Sequence, residues 1–106
     1  SGNIASLQGL IRKYLQESKG EAKSMLYYYS ALATGKNSEN YLSLLRSALL
    51  TNPRNKNALF AIYEWYFSRR DYRNAQFYLK QAMGVDGGQN KRYLKLYNDL
   101  TLLLGT

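Results

Sequence analysis

Slid along itself by 34 residues, this chain lays Tyr29 on Tyr63 and Tyr63 on Tyr97. The same shift aligns Met25, Leu59 and Tyr93, then Leu26, Phe60 and Leu94, then Tyr28, Ile62 and Leu96, and also Leu32, Tyr66 and Leu100. Further on, Asn40 meets Asn74, Leu45 meets Leu79, Ala48 meets Ala82 and Leu49 meets Met83. Apolar residues keep meeting apolar residues. A chain that repeats at this interval is built of small units that cannot bury their apolar faces alone and must stack.

Each copy reads as two helices. In the middle copy Leu59, Ile62, Tyr63 and Tyr66 recur at helical spacing. Asn55 or Asn57 can cap that helix, with Pro53 just outside it. Ser68-Arg69-Arg70-Asp71 is the break, and Ala75, Tyr78, Leu79 and Ala82 carry a second helix to a stop near Asp86-Gly87-Gly88. The first copy predicts helices over Glu21–Ala33 and Ser38–Leu50, with a turn at Thr34-Gly35-Lys36-Asn37 between them. Asn52-Pro53 ends the second of these, because a residue before proline disfavours the helical region. The third copy supplies one helix, Gln89–Leu103. Ahead of the copies, Ile4, Leu7, Leu10, Ile11, Tyr14 and Leu15 predict an amphipathic helix over 1–20, stopped by Gly20. The expected organisation is six helices in antiparallel pairs, with copies at 21–55 and 56–89 and a partial repeat or capping helix at 90–106.

The middle copy, Lys56–Gln89, resembles the tetratricopeptide repeat. It has Tyr66 in the first helix, Asp71-Tyr72 at the turn, and Ala75 and Ala82 seven residues apart. Asn52-Pro53 sits where that family closes the preceding repeat. The resemblance covers roughly Glu21 to Leu104 and implies an all-α, right-handed α-α superhelix. Tyr29, Tyr63 and Tyr97 depart from the family pattern, standing where it favours a small residue. Tyr41 stands where the second copy keeps Ala75, and Gly87 where a second proline is expected. Bulk at these contacts should push helices apart or alter their crossing angle.

Composition narrows the chemistry. The 106 residues contain no Cys and no His, so the commonest bases, nucleophiles and soft metal ligands are missing. The carboxylates Glu17, Glu21, Glu39, Glu64, Asp71, Asp86 and Asp99 form no close sequence pair, and Asp86-Gly87-Gly88 reads as a helix stop rather than a phosphate loop. No catalytic residue, cofactor or metal is assigned. No apolar run reaches the ~20 residues of a membrane span. The Ser-Gly opening looks like an expression scar on a domain cut from a longer chain. Any targeting segment of the parent is then out of sight, and the compartment stays open.

Stacked helix pairs form a concave face lined mainly by first helices. The resemblance places Lys23, Leu26, Tyr27 and Ser30 there from the first copy, Asn57, Phe60, Glu64 and Phe67 from the second, and Lys91, Leu94, Lys95 and Asn98 from the third. That mixed groove suits an extended or helical peptide; the N-terminal helix folding into it is the competing use. The family subtype that clamps an acidic tail needs asparagines where Tyr27 and Ala61 stand. Lys23 could serve and Asn57 could help, but the set is incomplete and that ligand is not expected.

The formal net charge is +8. Lys19, Lys23, Arg54, Lys56, Lys91 and Arg92 fall at inter-repeat connections or the helix starts beside them, along one edge. Lys36, Arg69, Arg70 and Arg73 fall at turns along the opposite edge. Two basic edges either steer an acidic partner or keep the surface solvated. Eleven tyrosines suggest base stacking, but a tyrosine column between stacked helices buries its rings and leaves its hydroxyls wet. Trp65 is expected in the core.

The expected function is a non-catalytic protein-protein interaction module. It would hold a peptide or partner protein in its groove, within a larger, bacterial scaffold, assembly or chaperone protein. A basic helical domain binding nucleic acid or another polyanion is the alternative. Leu102-Leu103-Leu104 is either covered by Tyr72 and Tyr78 or forms an open end that makes a homodimer or meets the rest of the parent chain.

Overall fold

A computed structural model describes residues 19–105. The helix expected over 1–20 therefore lies outside the described residues, apart from Lys19 and Gly20. Five helices follow one another: α1 over 19–34, α2 Tyr41–Thr51, α3 Lys56–Ser68, α4 Tyr72–Val85 and α5 Lys91–Leu103. Among the described residues there is no strand, so the protein is all-α over this range.

The helix boundaries follow from side chains that satisfy orphan backbone groups. The Asn55 side chain accepts from Ala58 N–H at the start of α3, Asp71 from Asn74 N–H at the start of α4, and Asn90 from Tyr93 N–H at the start of α5. Asn55, not Asn57, is thus the α3 cap. The ends of α3 and α4 share a second device. Asp71 N–H donates to Tyr66 C=O and Arg70 N–H to Phe67 C=O, while Gly88 N–H donates to Met83 C=O and Gly87 N–H to Gly84 C=O. Both are Schellman closures with a left-handed residue after the cap: Gly87 at φ 63° and Arg70 at φ 60°. Asp71 closes α3 and opens α4, which is why that connection is so short. Thr51 is the last residue of α2, and Asn52 before Pro53 is extended (φ −143°, ψ 98°).

Three boundaries differ from expectation. Gly20 does not stop a helix: Lys19 and Gly20 are already helical, and a β-carbon on Gly20 would meet nothing closer than Thr51 O at 3.9 Å. The α2 helix begins at Tyr41 rather than Ser38, because Ser38-Glu39-Asn40 is spent on a turn. In it Ser38 Oγ accepts from Asn40 N–H and Ser38 C=O from Tyr41 N–H. The α5 helix begins at Lys91 rather than Gln89, where Asn90 provides the cap.

Consecutive helices pack on one another, α2 on α3, α3 on α4 and α4 on α5. One core cluster joins Ala31 of α1 to Tyr41, Leu45 and Ala48 of α2 and Ala58, Ala61 and Ile62 of α3. A second joins Leu59 and Tyr63 of α3 to Ala75, Leu79 and Ala82 of α4 and Tyr93 and Leu100 of α5. Leu49, Tyr66 and Tyr78 pack against both clusters and make the core continuous. Tyr41, the bulky departure, is fully buried because three alanines in its cluster, Ala31, Ala58 and Ala61, leave room for the ring.

Polar ties cross the same interfaces. Buried Ser24 Oγ donates to Ala48 C=O (2.6 Å) and accepts from Asn55 Nδ2 (2.8 Å), which fastens α1, α2 and the α3 cap together. Gln76 Nε2 donates to Thr101 Oγ1 between α4 and α5.

The tyrosine column is not uniform. Tyr63 is buried and Tyr97 half-buried, but Tyr29 is 57% exposed, on a flank of α1 that no described helix covers. Trp65 is half-buried against the first cluster, with the Arg69 guanidinium 3.6 Å above its ring centre.

Candidate functional site

Phe60, Tyr63 and Phe67 stand at i, i+3 and i+7 on α3 and form one stripe. Arg92, Leu96, Asp99 and Leu103 make the matching stripe on α5. Between them lie two adjoining concavities. One, of about 350 Å3, is lined by Lys36, Phe60, Tyr63, Glu64, Phe67, Ser68, Arg92 and Leu96. The other, of about 480 Å3, is lined by Tyr63, Phe67, Leu96, Asp99, Leu102 and Leu103. Tyr63, Phe67 and Leu96 border both, so the two form a single trough.

Phe60, Tyr63 and Phe67 line this trough, and their ring contacts continue outside its lining to Tyr93 and Tyr72. Tyr93 stacks on Phe60 (5.1 Å between centroids), Phe60 meets Tyr63 (5.1 Å), Tyr63 meets Phe67 (5.8 Å), and Phe67 meets Tyr72 (5.5 Å). The Arg92 guanidinium lies 5.3 Å from the Phe60 ring centre, within cation–π range. Phe67 is 42% exposed, Leu103 54% and Leu102 77%. Burial first, then the nearby Glu64 carboxylate, raise the hydroxyls of Tyr28, Tyr41 and Tyr63 above the ordinary tyrosine value. At Tyr63 the Arg92 charge works in the opposite sense and Asp99 adds to the rise. Three charged groups of the trough thus surround one tyrosine.

The twelve groove residues expected from the sequence divide four ways. Phe60, Glu64 and Phe67 line the trough. Lys23, Leu26, Tyr27 and Ser30 border a separate concavity of about 230 Å3 on α1. Asn57 is exposed, its amide 3.8 Å from Met25 Sδ. Lys91, Leu94, Lys95 and Asn98 are exposed and line neither trough concavity. The reason is geometric. A repeat presents one flank to the neighbour before it and a different flank to the neighbour after it. Carrying an α3 residue set forward by one repeat length gives Lys91, Leu94, Lys95 and Asn98, whereas Arg92, Leu96, Asp99 and Leu103 are the α5 residues that line the trough with Leu102. Lys36, Tyr63, Ser68, Leu96, Asp99, Leu102 and Leu103 were not expected in the site. The spacing of Leu96, Asp99 and Leu103 on α5 was the available signal.

The basic residues are also divided. Lys56 pairs with Asp86 at 3.2 Å, and Arg54 Nη2 donates to Val85 C=O at the end of α4 (3.4 Å), where a cation complements the helix dipole. Lys19 is exposed and Arg92 borders the trough. On the other edge Lys36 reaches the trough, Arg69 covers Trp65, and Arg70 and Arg73 are exposed. Among the described residues no three of His, Cys, Asp and Glu gather to hold a metal ion, and no helix is long and apolar enough to cross a membrane.

No protein-family model matches the chain, and no curated protein matches it.

Proposed function

We propose that this protein is a non-catalytic interaction module of the tetratricopeptide kind, stacked as a solenoid, which holds a partner protein or peptide in the α3–α5 trough. The trough carries this reading: apolar and aromatic residues stay exposed along one continuous concavity, where a monomer would otherwise gain by covering them. The repeat interval, the successive packing of helices, and the fully buried Ala75 and Ala82 support the repeat architecture. The net charge of +8 favours an acidic partner. The nucleic-acid alternative needs free cations along one path; Lys56, Arg54 and Arg69 are already engaged within the fold, and Glu64 and Asp99 line the trough itself.

Phe67→Glu places a charge in the middle of the trough at a position exposed enough to spare the fold. It should lower partner affinity at least about tenfold with unchanged helicity by circular dichroism. Leu94→Glu, outside the trough, should leave affinity unchanged. The opposite ranking would remove the trough from the account.

A further inference from the structure

Leu26, Tyr29 and Leu32 follow one another at three-residue steps on α1, and they are 65%, 57% and 46% exposed. Another flank of the same helix is already spent. Ser24 and Ala31 are fully buried there, Ser24 on Ala48 and Asn55, Ala31 in the first core cluster. Tyr63, one repeat on from Tyr29, is buried in a cluster with Ala75. In the first copy Tyr41 stands at the place of Ala75 and is itself buried beside Ala31, so the Tyr29 ring has no such place and faces outward. We infer that a second copy of this chain covers this flank, in an antiparallel helix pair with Ser18 at its twofold axis.

The spacing of the sequence supplies the mate. Counted outward from Ser18, Tyr14 and Ala22 stand four residues away, Ile11 and Met25 seven, Leu7 and Tyr29 eleven, and Ile4 and Leu32 fourteen. Offsets of four, seven, eleven and fourteen keep to one face of a helix. The two halves are mirror images in spacing. An antiparallel mate would therefore set its Leu7 on Tyr29, its Ile4 on Leu32 and its Ile11 beside Met25 and Leu26. A twofold axis makes each of these contacts twice, as a self-complementary dimer requires.

A single chain folded into a hairpin would form the same pairs, but it needs a loop of about two to five residues around Ser18. The apolar spacing runs through that point without a gap, and Lys19 and Gly20 are already helical. The stretch Tyr14–Ser18 contains none of the Gly, Pro, Asn or Asp that favour turns. Two copies are thus preferred to one. The pairing leaves the binding surface open, because no α1 residue lines either concavity of the α3–α5 trough. The dimer would carry two troughs and hold a two-armed partner with avidity.

The test is sedimentation velocity on the full chain over a dilution series, with cysteine cross-linking to read the register. The chain has no cysteine of its own. The expected wild-type particle is twice 12.2 kDa. Tyr29→Glu and Leu26→Glu should each weaken the dimer at least about tenfold, with helicity by circular dichroism unchanged. Leu7→Cys mixed with Tyr29→Cys should form a disulfide between copies, and neither variant should link to itself. A wild-type chain that is monomeric throughout the series overturns the inference. A dimer that survives both glutamate variants lies elsewhere on the molecule and overturns it too. Either cysteine variant linking to itself shows a parallel pair and overturns the antiparallel register. The trough is tested separately, by Phe67→Glu.

Discussion

Asn55 joins two jobs in one buried side chain. Its carbonyl oxygen caps α3 through Ala58 N–H (3.1 Å), and its amide holds Ser24, which in turn holds Ala48 C=O. Asn55→Ala removes the cap and leaves Ser24 with one partner fewer in a dry place. The combined loss should be about 2–3 kcal/mol in urea unfolding; a loss below about 0.5 kcal/mol would show the link to be idle. The tyrosines set a pH dependence of their own. Tyr28, Tyr41 and Tyr63 are raised by burial and by Glu64, so the unfolded chain loses its phenolic protons at a lower pH than the folded one. Their stabilising contribution is intact below the unfolded tyrosine value near 10 and is lost as pH climbs through the higher folded values. With no histidine in the chain, Tm should be nearly flat from about pH 6 to 9 and fall above about pH 10. Replacing Glu64 by Gln removes one cause of the rise and should weaken that fall, seen as a smaller drop in Tm at alkaline pH.

The element scale shows what spelled out the fold. Caps and stops are local chemistry, so Asn55, Asp71, Asn52-Pro53 and Asp86-Gly87-Gly88 could be read directly and stand where expected. Gly20 and Ser38 misled because each residue type suits two roles: glycine tolerates a helix as well as ending one, and Ser38 serves a turn instead of beginning the helix. The two Schellman closures make a matched experiment. Arg70 occupies the left-handed region at φ 60°, as Gly87 does at φ 63°, but arginine is strained there and glycine is not. Arg70→Gly should be neutral or stabilising by up to about 1 kcal/mol, and Gly87→Ala should cost about 1 kcal/mol. Equal losses in both would mean the Arg70 side chain, rather than its backbone, closes α3.

At the scale of the whole molecule, the repeat interval says which residues are equivalent but not which flank meets the next helix. The α3 half of the trough was therefore legible, through Phe60, Glu64 and Phe67, while the α5 half was not. Leu94 and Asn98 are the equivalents of Phe60 and Glu64, yet Leu96 and Asp99 line the trough. Lys36 was legible as a turn cation and not as a trough residue, because its place depends on how a turn before α2 folds over α3. The Leu102-Leu103-Leu104 run stood out in the sequence as an apolar end. In the fold Leu102 and Leu103 extend the trough rather than pack beneath Tyr72 and Tyr78, and that extension makes the exposed surface continuous.

The central claim is that this trough is where the protein meets its partner. It is tested most directly by immobilising the wild-type chain, Phe67→Glu and Leu94→Glu, exposing each to nuclease-treated lysate of the source cells, and identifying what is retained by mass spectrometry. The account predicts a stoichiometric protein that survives nuclease, is kept by Leu94→Glu and is lost by Phe67→Glu. A partner retained equally by all three, or one that disappears with nuclease, would contradict it.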